Sequence, residues 1–364
     1  MKESEIKLKR VRKFLGENKL EAALLSRQSN FSWITCGGDS HVVMGSDQGV
    51  ASALITNKNA FVVTGNIEAL RIKNEELGSG FKVLSYNWYE ENEKIKLIKN
   101  ICSLNRLGTD TCLTGTKNIA DSFAGLHYQL TPEEIRRYEL LGKDCAASMN
   151  KVCRTVRKGD TEHEIAARLA EEILAKGIVP TVLLVAADDR IKKYRHPIPT
   201  FNKVKKCVMI VLCGRRHGLI LSMSRIVHFG KLPDELRKKH DAVVKIDTSF
   251  ILGSAPGEKI SDIFRWAVDT YKYTGYANEW KLHHQGGATG YEGRDYKGTP
   301  GSKEIVLENQ AFAWNPSITG TKSEDTIIVT GQGIKIISEI KGWPMITVGC
   351  GCCGKIKRPD ILIK

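Results

Sequence analysis

The chain has 364 residues, 41% of them hydrophobic and 26% charged, and carries a formal net charge of +14. That length exceeds one ordinary core and suits two domains. No apolar run approaches the roughly eighteen residues of a membrane span, and the first ten residues, MKESEIKLKR, hold no apolar signal core. Lys and Arg are scattered rather than interleaved with aromatics as on a nucleic-acid stacking platform, so a soluble cytoplasmic protein with no membrane and no nucleic-acid partner is expected.

Residues 3–17 suit an amphipathic helix, with Leu8, Val11 and Leu15 on one face. Short strands are expected at 22–25, 31–35, 51–56 and 60–64, the last two joined by a turn at Asn57-Lys58-Asn59. Helices near 66–77 and 91–104 complete an α/β domain over residues 1–125. Thr131-Pro132-Glu133-Glu134 starts a new helix: Thr131 caps, Pro132 suits the first turn, and Glu134 completes a capping box. Thr161 and Glu164 repeat the device. Beyond them are expected a strand at 180–186, a loop at 187–206, a hairpin of 207–213 and 218–227, and helices near 233–245 and 258–273. Strands at 311–315, 325–330 and 335–339 follow. Seven of the ten cysteines are scattered through segments that read as helix, strand or core, as free thiols in a reducing compartment are. Cys350, Cys352 and Cys353 crowd a tip read as the turn of a hairpin between 346–348 and 361–363, one ligand short of a closed zinc site.

Four clusters carry possible chemistry. His196, in Tyr194-Arg195-His196-Pro197, follows a strand in a loop and is placed for proton transfer, although a plain loop histidine reads the same way. His283-His284-Gln285-Gly286-Gly287 leads through Gly290-Tyr291-Glu292-Gly293-Arg294-Asp295, glycines allowing close backbone approach to a ligand. On a strand only one of His283 and His284 faces a pocket, and the choice stays open. Phe312-Ala313-Trp314-Asn315-Pro316 is the third cluster and Lys322-Ser323-Glu324-Asp325-Thr326 the fourth.

In this order and spacing the clusters resemble the pita-bread proteins, which include aminopeptidase P, prolidase, methionine aminopeptidase and creatinase. Residues 1–125, with Asn30-Phe31-Ser32-Trp33 and Asn66-Ile67-Glu68, are similar to the N-terminal domain of the creatinase and prolidase branch; residues 131–364 are similar to the pita-bread domain closed by a C-terminal hairpin. The resemblance implies an α+β fold, an N-terminal α/β creatinase-type domain followed by a pita-bread domain, and a homodimer.

The family's metallopeptidases hold two divalent ions with two Asp, one His and two Glu. Matching the glycines and final Arg of 212–225 to their pattern puts Leu212 and Ser222 at the Asp positions, His284 or His283 at the His, Asn315 at the first Glu and Glu324 at the second. Hard cations need several anionic oxygens, so no metal or other cofactor is expected, beyond a single weakly held ion on His284 and Glu324. Creatinase, which lacks the metal and cleaves a C–N bond by acid–base chemistry, is the nearer precedent, although two of its glutamates fall at Ser224 and Asn315 and creatine itself does not fit. The resemblance implies acid–base cleavage of a C–N bond in a small carboxylate-bearing compound. His196 would be the acid/base, with His284 and Glu324 as catalytic partners. Arg294 would anchor the carboxylate through its forked guanidinium, and His283, Tyr291, Trp314, Asn315, Arg225 and Ser222 would contact substrate. A metal-dependent Xaa-Pro aminopeptidase or dipeptidase and a non-catalytic binding protein are the alternatives.

Overall fold

The computed structural model describes residues 2–349 and 354–364. The chain divides into two compact units, residues 1–127 with 217–219 and residues 128–216 with 220–364. In chain order the first unit comprises α1 (Glu3–Glu17), β1 (Ala22–Arg27), α2 (Gln28–Ile34), β2 (Gln48–Thr56), β3 (Ala60–Gly65), α3 (Asn66–Arg71), β4 (Lys82–Tyr86), α4 (Glu91–Lys99), β5 (Leu107–Thr109), β6 (Lys117–Asn118) and α5 (Ala120–Ala124). Its six strands form one mixed sheet in the order β4-β3-β2-β1-β5-β6. The strand expected at 31–35 is instead the end of α2. Residues Asn30 to Ile34 are all buried there, so the segment shows neither a stripe nor an alternation from which its period can be read.

The second unit opens with α6 (Pro132–Thr155) and α7 (Glu162–Leu174). Both expected capping boxes form: Glu134 N–H donates to Thr131 Oγ1 at 3.3 Å and Thr131 N–H to Glu134 Oε2 at 2.7 Å, and Thr161 and Glu164 repeat the pair. Next come β7 (Val179–Ala187), α8 (Asp189–Lys193) and the long hairpin of β8 (Cys207–Arg216) and β9 (Leu219–His228). The helices α9 (Asp234–Gly253) and α10 (Ile260–Tyr273) precede β10 (Gly286–Thr289), β11 (Tyr296–Lys297), β12 (Gln310–Trp314), β13 (Ser317–Ile318), β14 (Thr321–Lys322), β15 (Asp325–Thr330) and β16 (Gly333–Ile336). The chain ends in β17 (Met345–Gly349), β18 (Lys355–Pro359) and β19 (Leu362–Ile363).

Two sheets face the site, β11-β10-β12-β15-β16 and β19-β9-β8-β7. They meet where β9 passes β15: Ser222 N–H donates to Thr326 Oγ1 at 2.9 Å, and Thr326 Oγ1–H returns a bond to Ser222 O at 2.8 Å. The α9–α10 pair closes one side with Val243, Phe250, Ile263 and Phe264 against Phe312 and Trp314. The C-terminal hairpin differs from expectation. Residues 345–349 pair with 355–359, and Leu362–Ile363 instead runs parallel to β9. Its cysteine-bearing tip lies outside the described residues, and the seven described cysteines are free thiols. Among the described residues no helix is long and apolar enough to cross a membrane.

Candidate functional site

The strand registers assemble the site. Trp314 lies opposite Gly286 on one side and Asp325 on the other. One step further, Asn315 stands between Gln285 and Glu324, and its N–H donates to Gln285 O at 3.0 Å. The segments carrying His284, Asn315 and Glu324, some forty residues apart end to end, are thereby laid side by side. The loop bearing His196 is fixed from two directions. Arg195 Nη2 donates to Glu279 Oε2 at 2.6 Å and to Thr319 Oγ1 at 3.0 Å. Thr200 N–H donates to Glu162 Oε2 at 2.8 Å, and Arg190 pairs with the same carboxylate.

Two groups of side chains result. In the first, ligand atoms of His196, His283 and His284 lie within 4.8 Å of one another. The Nε2 atoms of His283 and His196 are 3.2 Å apart, and His283 Nδ1 is 3.3 Å from Ser317 Oγ. Gly286 N–H donates to His284 Nδ1 at 3.3 Å. Burial pushes the His283 imidazole down to about 2 and that of His284 to about 4, with the neighbouring Lys322 and Arg294 charges adding to the effect. His196, on the solvent side, is lowered by burial first and then by Lys322. All three rings are therefore neutral at pH 7, able to accept or relay a proton.

The second group centres on Glu324, which is 2% exposed. Its Oε1 accepts from Arg294 Nη2 at 3.1 Å; its Oε2 accepts from Lys322 Nζ at 2.7 Å and Ser224 Oγ–H at 2.6 Å. Burial works to raise this carboxyl, but Lys322 and Arg294 outweigh it and hold the group at about 2. Arg294 Nη1 reaches Ser222 Oγ at 3.3 Å, and Ser222 Oγ is 3.2 Å from Cys213 Sγ. Arg294 Nε and Asn315 Oδ1 are buried and have no hydrogen-bond partner among the described residues. Leu212 is fully buried and apolar.

His196, His283 and His284 thus lie together, as do Arg294, Ser222 and Glu324 with Asn315 beside them, whereas Trp314, Tyr291 and Arg225 lie elsewhere. Trp314 is a core residue, not a pocket wall: it is fully buried, stacks on Phe250 at 4.5 Å, and its indole N–H donates to Ser254 Oγ at 2.9 Å. Tyr291 is 1% exposed and its hydroxyl donates to Glu134 Oε1 at 2.8 Å, tying the glycine-rich segment to α6. Arg225 pairs with Asp325 at 2.8 Å and donates to the carbonyls of Ser224 and Ser338. These residues carry large or charged side chains that a pattern places near a site but that packing turns away from it. Sequence reasoning left Lys322 without a role, although on an extended segment a residue two before Glu324 shares its side. Ser317 and Arg195 gave no comparable signal.

Two sheets that meet at the site, with a helix pair packed against one of them, make up a pita-bread domain. The profile of metallopeptidase family M24 matches residues 138–336, more than half of the chain, and the chain belongs to that family. A Xaa-Pro dipeptidase of Lactobacillus helveticus is 24% identical over 230 residues, covering 60% of this chain and 62% of the relative. The prolidase of Pyrococcus horikoshii OT3 superposes with a TM-score of 0.79 at 17% identity, over 92% of this chain and 98% of that one. The Xaa-Pro dipeptidase of Bacillus anthracis gives 0.78 at 17%, over 99% and 100%. At these identities the structural likeness establishes the fold alone.

Proposed function

We propose that this M24 hydrolase-like protein cleaves a C–N bond in a small carboxylate-bearing compound by acid–base chemistry, without the dinuclear metal site of its peptidase relatives. The observation that carries the reading is the state of Glu324. It is the one carboxylate at the five matched ligand positions, and both its oxygens already accept bonds from Lys322, Arg294 and Ser224. Leu212 offers no donor atom, and Ser222 and Asn315 offer only neutral oxygens. This donor set does not fit a pair of hard divalent ions.

In this reading His196, neutral and open to solvent, takes and returns the proton; His283 and His284 orient it through the imidazole cluster. Glu324 grips Arg294 and Lys322 so that their remaining donors face the substrate carboxylate, and Asn315 Oδ1 supplies an acceptor. Replacing His196 by Ala should lower turnover roughly 10²–10⁴-fold. The assay is a panel of small amide and amidino carboxylates in EDTA, and an unchanged rate in the variant would remove His196 from the mechanism.

The named relatives favour a second reading, metal-dependent cleavage of Xaa-Pro substrates. Manganese- or cobalt-stimulated hydrolysis of Xaa-Pro dipeptides, abolished by EDTA, would put it first. Inertness in both assays would favour a non-catalytic binding protein. We further expect a cytoplasmic homodimer. An exposed apolar group on the first unit, Ile67, Leu70, Trp88 and Tyr89, each more than 60% exposed, supports self-association.

A further inference from the structure

A cleft lined by none of His196, His283, His284, Arg294 and Glu324 opens in the second unit. It lies between α8, the segment that enters β8, the end of β9, the start of α9 and the turn joining β13 to β14. Its volume is about 410 Å³, within the range of small-ligand sites. The floor is apolar: Ile191 and Cys207 belong to a buried cluster against which Leu236 is only partly buried, and Pro233 continues that surface. His228, 4% exposed, also lines the cleft, and its Nδ1–H donates to Gly230 O at 3.2 Å, which leaves Nε2 as the acceptor. The rim is cationic, carrying Lys192, Lys205, Lys206 and Lys239 with Asp188, Asp189 and Glu235. Two of these carboxylates are already committed. Asp188 accepts the backbone N–H groups of Lys205 and Lys206 at 2.8 Å and of Cys207 at 2.9 Å, which fixes the lysine-bearing segment. Glu235 pairs with Lys239 at 2.7 Å. The stem of Lys192 lies over Gly320, where an added Cβ would stand 3.5 Å from its Cγ. Lys192, Lys205 and Lys206 thus face the single remaining carboxylate of Asp189, leaving two positive charges over at the edge of the apolar floor. A cleft with such an excess concentrates anions.

We propose that this cleft is a second binding site, for a small soluble phosphomonoester with an apolar body. The body would cover Ile191, Cys207 and Leu236, gaining from the apolar area withdrawn from water. The phosphate dianion would meet Lys192, Lys205 and Lys206, whose compact ammonium groups suit it as point charges. A dianion matches the two charges left over. A neutral apolar molecule would leave those lysines unanswered, and free phosphate would leave the floor bare. The cleft meets the scaffold of the central site at Thr319, which lines it and accepts from Arg195 Nη2 at 3.0 Å, next to His196 in the chain. An occupant would therefore bear on one of the ties that hold the His196 loop.

The test is isothermal titration calorimetry of the full chain at low, constant ionic strength, because salt screens exposed charges. The probes are 1-naphthyl phosphate, inorganic phosphate and 1-naphthol. 1-Naphthyl phosphate should saturate a single site. Inorganic phosphate and 1-naphthol, each lacking one half of the recognition, should bind weaker by about tenfold or more. Lys192 and Lys206 are exposed, so Lys192→Met/Lys206→Met should fold as the parent does and bind the ester weaker by about tenfold or more. His196→Ala should bind it as the parent does, so failure of the catalytic reading leaves this result standing. Three results would each overturn the proposal: no saturable binding of 1-naphthyl phosphate, inorganic phosphate or 1-naphthol binding as tightly as the ester, or ester binding unchanged in Lys192→Met/Lys206→Met.

Discussion

Arg358 lies in β18, far along the chain from the site, and its replacement tests what holds the Glu324 segment in place. Its Nη2 pairs with Asp247 Oδ2 at 2.6 Å and with Asp325 Oδ2 at 2.9 Å, and all three side chains are at most 1% exposed. Replacing Arg358 by Met keeps most of the stem and removes the charge. Asp325 would retain Arg225 and the Ser338 hydroxyl. Asp247 would retain only Ser323 among its described partners, since its Oδ1 has no hydrogen bond among the described residues. Removing one partner of a buried ion pair costs roughly 3–5 kcal/mol, because the other charge stays buried and uncompensated. That loss should appear at pH 7 in urea unfolding followed by tryptophan fluorescence and by circular dichroism, whose coincidence checks the two-state treatment. Burial already works to raise the Asp247 carboxyl and Arg358 opposes it. Burial prevails even with Arg358 in place, and without Arg358 the folded-state value lies further above the unfolded one, so Asp247 destabilises the variant most when ionised. The deficit should shrink as the pH is lowered from 7 towards 5. The double replacement Arg358→Met/Asp247→Leu should recover most of the loss. A loss below about 1 kcal/mol, or a double variant no more stable than the single one, would refute the reasoning.

Two further predictions concern the site's surroundings. Trp314→Ala should cost roughly 3–5 kcal/mol as a core truncation, whereas Trp314→Phe should cost less and leave KM for any substrate unchanged; a KM effect without a stability loss would return Trp314 to the pocket. The His284 imidazole is held at about 4 by burial, against about 6.5 in an unfolded chain. As pH falls through this interval the unfolded state takes up the proton first, so stability should drop from about pH 6.5 towards pH 4. Asp295, raised to about 8 by burial, adds a slope of opposite sign. The informative measurement is therefore the difference between wild type and His284→Asn, which should narrow over that window; parallel curves would contradict it.

The residues that this chain shows locally explain what could be read from sequence. Thr131 and Glu134, or Thr161 and Glu164, act within one turn of helix, so a four-residue pattern is sufficient to place them. The same holds for the turn at 57–59 and for the order of the four clusters that marks a pita-bread protein. The 31–35 segment failed because complete burial erases periodicity, and residues 345–363 failed because the strand that pairs with 345–349 is the largely charged Lys355-Ile356-Lys357-Arg358-Pro359, while the apolar run after it lies beside β9. The tertiary structure alone decided which side chains meet. Arg294 and Lys322 converge on Glu324, Ser317 on His283, and Arg358 on Asp247 and Asp325, across separations of up to 111 residues. Local sequence carries no record of such pairings, because they depend on strand register and helix packing, and a buried charge is tolerable only where those bring its counter-charge within hydrogen-bonding distance.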